Sequence, residues 1–197
     1  MATSMNQGLL SVDEALERLL AGAVPVAEVE TVPTIEAAGR VLAEPLRSTM
    51  DVPSLDNSSM DGYAVRVADI AGSGTRLPMT QKIFAGAVGA KLAAGTVARI
   101  FTGAPIPEGA DAIVIQEETG AEGDQIVFKR KPELGEWIRR VGQDIRRDSQ
   151  ILATGQRLRP QDTGLAASVG IASVKVKRKM RVGLFFTGDE LAMPGEP

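Results

Sequence analysis

Residues 55–66 read Leu-Asp-Asn-Ser-Ser-Met-Asp-Gly-Tyr-Ala-Val-Arg. Asp56, Asn57, Ser58, Ser59 and Asp61 crowd ahead of Gly62. Such a run makes poor helix and poor strand, because short polar side chains compete for backbone hydrogen bonds. It ends in Tyr63-Ala64-Val65, which is strand-like. A polar loop feeding a buried strand is where a fold presents chemistry. The competing reading is a capped turn with solvated acids.

Outward from that loop the texture of the chain changes twice. On the C-terminal side, to about Arg140, short β-rich runs alternate with glycine-bearing turns. They cover residues 79–84, 96–102, 112–116, 125–129 and 137–141. Spacing of this kind predicts a small, partly closed β-barrel or sandwich. On the N-terminal side, Ser11 and Glu14 form a capping box. It opens a helix whose stripe is Val12, Ala15, Leu16, Leu19 and Leu20, predicted to pack into the core. Strands are predicted over 28–35 and 40–46, with a short helical turn between them, and Pro53 marks a break. After Gln143 come a helix opened by Pro160 and closed at Gly170, and a strand over 174–177. Arg181-Val182-Gly183-Leu184-Phe185-Phe186 is nearly continuous in apolar character, as expected of a strand covered on both faces. It leads into Thr187-Gly188-Asp189-Glu190. A polar turn after such a strand is where α/β folds bind ligands. The chain stops seven residues later, so it is expected to be a fragment.

Composition narrows the chemistry. The 197 residues have a formal net charge of −3, which gives no global attraction to nucleic acid or anionic membrane. Aromatic content is 4%, with one Trp and one Tyr, too few for a base-stacking barrel. The chain has no cysteine and no histidine. That excludes disulfides, thiolate zinc sites and cysteine nucleophiles, and removes the commonest general base. Catalysis would fall to Asp, Glu, Lys, Arg, Ser, Thr or backbone groups. A bound metal would be a hard cation held by oxygens, with magnesium the expected one. No apolar run approaches the roughly 20 residues that span a bilayer. Met1 to Leu10 lacks the pattern of a signal peptide, so a cytoplasmic protein is expected.

Three further clusters join residues 56–61. Phe101-Thr102-Gly103-Ala104-Pro105-Ile106-Pro107 is a strand end turning on glycine and proline, able to offer N–H groups and a hydroxyl to an anion or water. Its competing reading is a rigid turn. Residues 139–148 place four arginines in nine positions with Asp144 among them, a set that can fork onto phosphate or carboxylate. Its competing reading is a salt-bridged surface strand. Thr187 to Glu190 sets an acid pair on a turn.

In order, these blocks resemble the molybdopterin molybdenumtransferases (molybdenum insertases), the family that includes the E domain of gephyrin. The matching stretches are Asp51-Val52-Pro53, Asp56 through Arg66, Arg99 through Pro105, Gly142-Gln143-Asp144-Ile145 and Thr187 through Leu191. The resemblance implies a mixed α/β, multidomain fold. Residues 1–23 would be an N-terminal helix. Residues 24–50 and 145–178 would form an elongated, discontinuous α+β linker domain, and 51–144 an inserted β-rich, barrel-like domain. Residues 179–197 would begin an α/β, molybdopterin-binding-like domain. The implied reaction takes adenylylated molybdopterin, cleaves it with Mg²⁺, places molybdate on the dithiolene and releases AMP. Asp61, Asp189 and Glu190 are then the expected metal ligands, with Asp61, Thr102, Asp144 and Glu190 in catalysis. Ser59, Arg139, Arg140 and Arg146 are expected to contact the cofactor substrate, with Arg147 a further anion-attracting candidate. The resemblance also implies a homodimer, with the β-rich domain of one subunit facing the α/β domain of the other, upstream and downstream molybdenum cofactor enzymes as further partners, and no nucleic-acid or membrane partner. Phe186 stands where family members commonly carry Ser. Without the remaining α/β domain, the chain is expected neither to bind the substrate well nor to turn it over. A scaffold without chemistry on the same fold is the alternative, as in the peptide-binding role of gephyrin. A paralogue of that kind should have lost the acids, which are all present here.

Overall fold

The computed structural model describes residues 10–188 and 190–195. In chain order the elements are α1 (Val12–Ala21), β1 (Val29–Pro33), β2 (Leu46–Arg47), β3 (Asn57–Ser58), β4 (Gly62–Val65), β5 (Arg76–Ile83), β6 (Val97–Ile100) and β7 (Ala112–Ile115). They continue as β8 (Thr119–Glu122), β9 (Gln125–Phe128), β10 (Ile138–Arg139), β11 (Gln150–Leu152), α2 (Pro160–Ser168) and β12 (Ser173–Lys177).

The largest sheet has six strands in the order β7-β4-β6-β5-β9-β8, antiparallel throughout except for β5 with β6. Strand periodicity divides its residues between two buried clusters. Val65, Val97, Ala112 and Val114 pack with Leu77, Ile126 and Phe128 on one side. Ala64, Ala98, Ile100 and Ile113 pack with Ile83 and Leu92 on the other. The central strands are therefore covered on both faces, which is why Ala112-Ile113-Val114 is apolar without alternation. The sheet also has to roll. Its edge strands β7 and β8 are joined by only Gln116–Glu118. Such a link reaches roughly 14 Å when fully extended. Laid flat, six strands would hold their edges about 24 Å apart. The partly closed barrel expected from the turn spacing is this rolled sheet, completed by β8, a strand the sequence reading took for a turn.

A second core lies around the pairing of β1 with β12. Leu42, Leu46, Leu152, Leu158, Ala166, Val174 and Val176 are buried there. Asp162 anchors the start of α2: its carboxylate accepts from the Arg159 backbone N–H (2.8 Å) and guanidinium (3.0 Å). The predicted strand over 40–46 is reduced to bridges at Val41 and Leu42 followed by β2, because Val41 and Leu42 pair with different partners, Arg157 and Val176.

A two-stranded antiparallel ribbon joins the cores. β2 pairs with β11, Val52 bridges Ile145, and β3 pairs with β10. Between these points Ser48 and Asp148–Ser149 exchange backbone hydrogen bonds. The chain thus leaves along residues 46–58 and returns along 138–152.

Two expectations are corrected. The α1 capping box is present, but its apolar stripe is not core: Val12 is 83% exposed and Leu19 74%. No other described element covers that face. Residues 181–186 form no strand, and Leu184, Phe185 and Phe186 are exposed. An extended segment needs a neighbouring strand for its ladder, and none pairs with it among the described residues. No described helix is long and apolar enough to cross a membrane.

Candidate functional site

The site grows from the point where the ribbon enters the rolled sheet. Asp61 is the last residue before β4, and Gly62 begins the strand at a place with no room for a side chain. A Cβ there would lie 2.1 Å from the Val114 carbonyl oxygen. The glycine therefore lets β4 press against β7, and this close approach fixes the height at which Asp61 emerges.

Thr102, just beyond the end of β6, meets Asp61. Its backbone N–H and its hydroxyl both donate to Asp61 Oδ1, each at 2.8 Å. These bonds, the backbone one foremost, hold the carboxyl below its usual range, with a smaller contribution from the Arg99 charge. Oδ2 has no hydrogen-bond partner among the described residues. The result is an ionised carboxylate with one oxygen tethered and one presented outward. The Thr102–Gly103 turn is itself fixed, because the Gly103 N–H donates to the Ser58 carbonyl (2.8 Å) and the Ser58 N–H to the Ala104 carbonyl (3.0 Å).

The arginine-bearing segment closes onto the other end of the loop. Asp56 accepts from the Val141 N–H (2.8 Å) and from Arg140 (2.7 Å), and these partners lower its pKa, the backbone donor most. Arg139 pairs with Asp144. The Ser59 N–H and hydroxyl both donate to the Trp137 carbonyl, at 3.0 and 2.7 Å. Trp137 presents that carbonyl from a left-handed backbone conformation, φ 54°. Ser58 is buried, and its hydroxyl donates to the Met60 carbonyl.

Three of the four sequence clusters thus converge: residues 56–61, 101–107 and 139–144. Within them the predicted Asp61 and Thr102 are brought together. Arg140 and Arg139 are engaged by carboxylates of this chain, Asp56 and Asp144, and Ser59 by a backbone carbonyl. Arg146 and Arg147 are exposed, with guanidinium groups that meet no carboxylate among the described residues. The fourth cluster stays apart. Glu190 is exposed and no described contact links it to Asp61, while Asp189 lies outside the described residues. Asp144 likewise makes no contact with Asp61. Among the described residues no three acidic side chains gather as a metal cluster. Asp61 offers a single open oxygen to a cation.

Sequence reasoning quoted Arg99 within a matching stretch and Gln116 at a strand end, and gave neither a role. Arg99 sits in β6 opposite Tyr63 of β4, with its guanidinium 5.2 Å from the Tyr63 ring centroid and 4.8 Å from that of Phe101. A lone charge inside the run Val97-Ala98-Arg99-Ile100-Phe101, paired with an aromatic across the sheet, was the available signal.

A family described as "MoeA N-terminal region (domain I and II)" matches residues 10–170. A molybdopterin molybdenumtransferase of Haemophilus influenzae is 41% identical over 191 residues, covering 96% of this chain and 47% of that protein. One from Synechococcus elongatus is 40% identical over 197 residues, covering 96% and 49%. The crystal structure of a molybdopterin biosynthesis moeA protein from Pyrococcus horikoshii OT3 superposes with a TM-score of 0.86 at 36% identity, over 93% of this chain and 50% of the other. The chain therefore spans about half the length of these relatives.

Proposed function

The chain belongs to the MoeA family, through its N-terminal region of domains I and II, and from that premise we propose that it serves molybdenum cofactor biosynthesis within a molybdopterin molybdenumtransferase. The proposed reaction consumes adenylylated molybdopterin and molybdate and releases AMP. The observation that carries this reading is the Asp61 carboxylate, tethered through Oδ1 by Thr102 and open at Oδ2. An ionised group fixed in this way can orient an attacking oxygen or a substrate donor without reorganising during the reaction. Thr102 supplies both tethers and so sets its direction.

Mg²⁺ is the cation proposed for phosphoanhydride cleavage, where it would neutralise charge building on phosphate oxygens. Asp61, Asp189 and Glu190 are its proposed ligands, a small carboxylate set that leaves coordination positions for water and substrate phosphate. Asp144 is proposed as a further acid of the site. Ser59, Arg139, Arg140 and Arg146 are proposed to line the approach of the anionic substrate. Of the three arginines, Arg146 is the one that no carboxylate among the described residues engages. The proposal includes a homodimer acting in the cytoplasm. It also divides the chain into a linker domain of residues 24–50 and 145–178 and an inserted domain of residues 51–144, a division supported by the two cores and the ribbon between them.

The test uses the protein at its full natural length, supplied with adenylylated molybdopterin, Mg²⁺ and molybdate. Molybdate-dependent AMP release should fall on the order of 100-fold in Asp61→Ala, the scale of losing one preorganised electrostatic group. A folded wild-type protein that releases no AMP would sink the enzymatic reading and favour the scaffold.

A further inference from the structure

We propose that Arg99 is a positioning residue of the Asp61 site, holding the backbone that carries the Thr102-tethered carboxylate through contacts on β4, β6 and the turn after β7. The inference rests on the reading of Asp61 as the working acid.

The contacts run in a ring. Arg99 Nη1 donates to the Gly62 carbonyl at 3.0 Å, and Nη2 donates to Gln116 Oε1 at 2.6 Å. The Gln116 backbone N–H donates to the Asp61 carbonyl at 3.1 Å. The two successive carbonyls that flank the bend into β4 are therefore held by one arginine and by the glutamine it grips. On the remaining side, Thr102 ties the Asp61 carboxylate to the strand end only three residues beyond Arg99. Arg99 thus adds a side-chain link between the start of β4 and the turn after β7, beside the backbone bonds that tie the Thr102–Gly103 turn to Ser58.

The residue type follows from the geometry. A planar guanidinium can stack on rings while its edge donates in two directions, which a lysine ammonium cannot do. Arg99 lies over both Tyr63 and Phe101. Phe84 in turn stacks on Phe101, with centroids 4.7 Å apart and an interplanar angle of 7°. Tyr63, Phe84 and Phe101 are three of the seven aromatic residues in the whole chain. Tyr63 and Phe101, the latter backed by Phe84, restrain the plane of the fork, so that its two donors stay directed at Gly62 and Gln116. Lys82, opposite Arg99 on β5, lines the same small depression of about 200 Å³, and its side chain makes no hydrogen bond or ion pair among the described residues. It is therefore the natural control.

Two readouts test the role in the protein at its full natural length. The first is hydrogen exchange at the peptides covering residues 101–103 and 115–117, whose amides include the donors to Asp61. In Arg99→Lys, and in Arg99→Met if it folds, exchange there should rise about 10-fold, a local opening that leaves the rest of the fold intact. The segment around Leu158 in the other core should be unchanged, as should all segments in Lys82→Met. Unchanged exchange at both site peptides in folded Arg99→Lys would overturn the proposal, whatever the activity. The second readout is AMP release. Arg99→Lys should lower kcat by about 10-fold or more with KM within about twofold, because misplacing a catalytic group costs rate rather than binding. A loss confined to thermal stability, with kcat intact, would also overturn it. If the wild-type protein releases no AMP, the functional reading fails and the exchange result alone decides this inference.

Discussion

Gly62 shows how one position can govern a site without taking part in its chemistry. Gly62→Ala would drive a methyl group into the Val114 carbonyl, and backbone on both sides leaves little room to shift. The expected cost is about 3 kcal/mol or more, read as a lowered urea midpoint with the m-value preserved. A variant as stable as the parent would show that β4 and β7 can separate. Asp162 carries a different liability. Hydrogen bonds from the Arg159 guanidinium, and then from its backbone N–H, lower its pKa to about 2. The folded value lies below the ordinary carboxylate value near 3.9, so the ionised form favours the fold. That contribution is complete above about pH 4, declines as pH falls toward 2 and is gone below it. Asp162→Asn should therefore lower Tm at pH 7, and the gap to the parent should close on titration toward pH 2. A gap that stays constant with pH would assign the effect to packing. At the site, the sequence marked the polar loop of Asp61 and the strand-end turn of Thr102 as candidate clusters, and only the family resemblance gave those two residues roles. Arg99 was hidden by its setting in an otherwise apolar strand.

At the level of elements, periodicity worked where a strand or helix had a neighbour to face. Val174 and Val176 alternate with lysines, and β12 pairs as that pattern requires. Pro160 opens α2 and Gly170 follows it with φ 82°. It failed where the partner was not in hand. The stripe of α1 and the run 181–186 have the composition of buried elements, yet both lie open among the described residues. Apolar pattern records that a face is meant to be covered and does not say by what. It also missed β8, whose Thr-Gly-Ala-Glu reads as a turn and becomes a strand only because β9 lies beside it. Since α1 gains nothing from packing on described elements, its capping box should dominate its local stability. Ser11→Ala should cost the helix about 1 kcal/mol. The change should appear as faster hydrogen exchange within residues 12–21 and leave the global Tm within a degree. A large fall in Tm would mean the helix is packed against something.

Across the whole molecule, the two cores communicate through the ribbon alone in the order of the chain. The Val52 and Ile145 backbones bond each other in both directions, at 2.7 and 3.2 Å. Replacing residues 54–143 by a short turn should therefore leave the core around β1 and β12 folded, with its near-native melting behaviour checked by circular dichroism. Collapse of that remnant would show that the rolled sheet supports the other core. The neck also bears on ancestry. A polypeptide that departs and returns through adjacent residues can acquire or shed the intervening stretch in a single genetic event, without rerouting anything else. The machinery that presents Asp61 is thus transferable as one cassette, carrying its own glycine, threonine and arginine already in place.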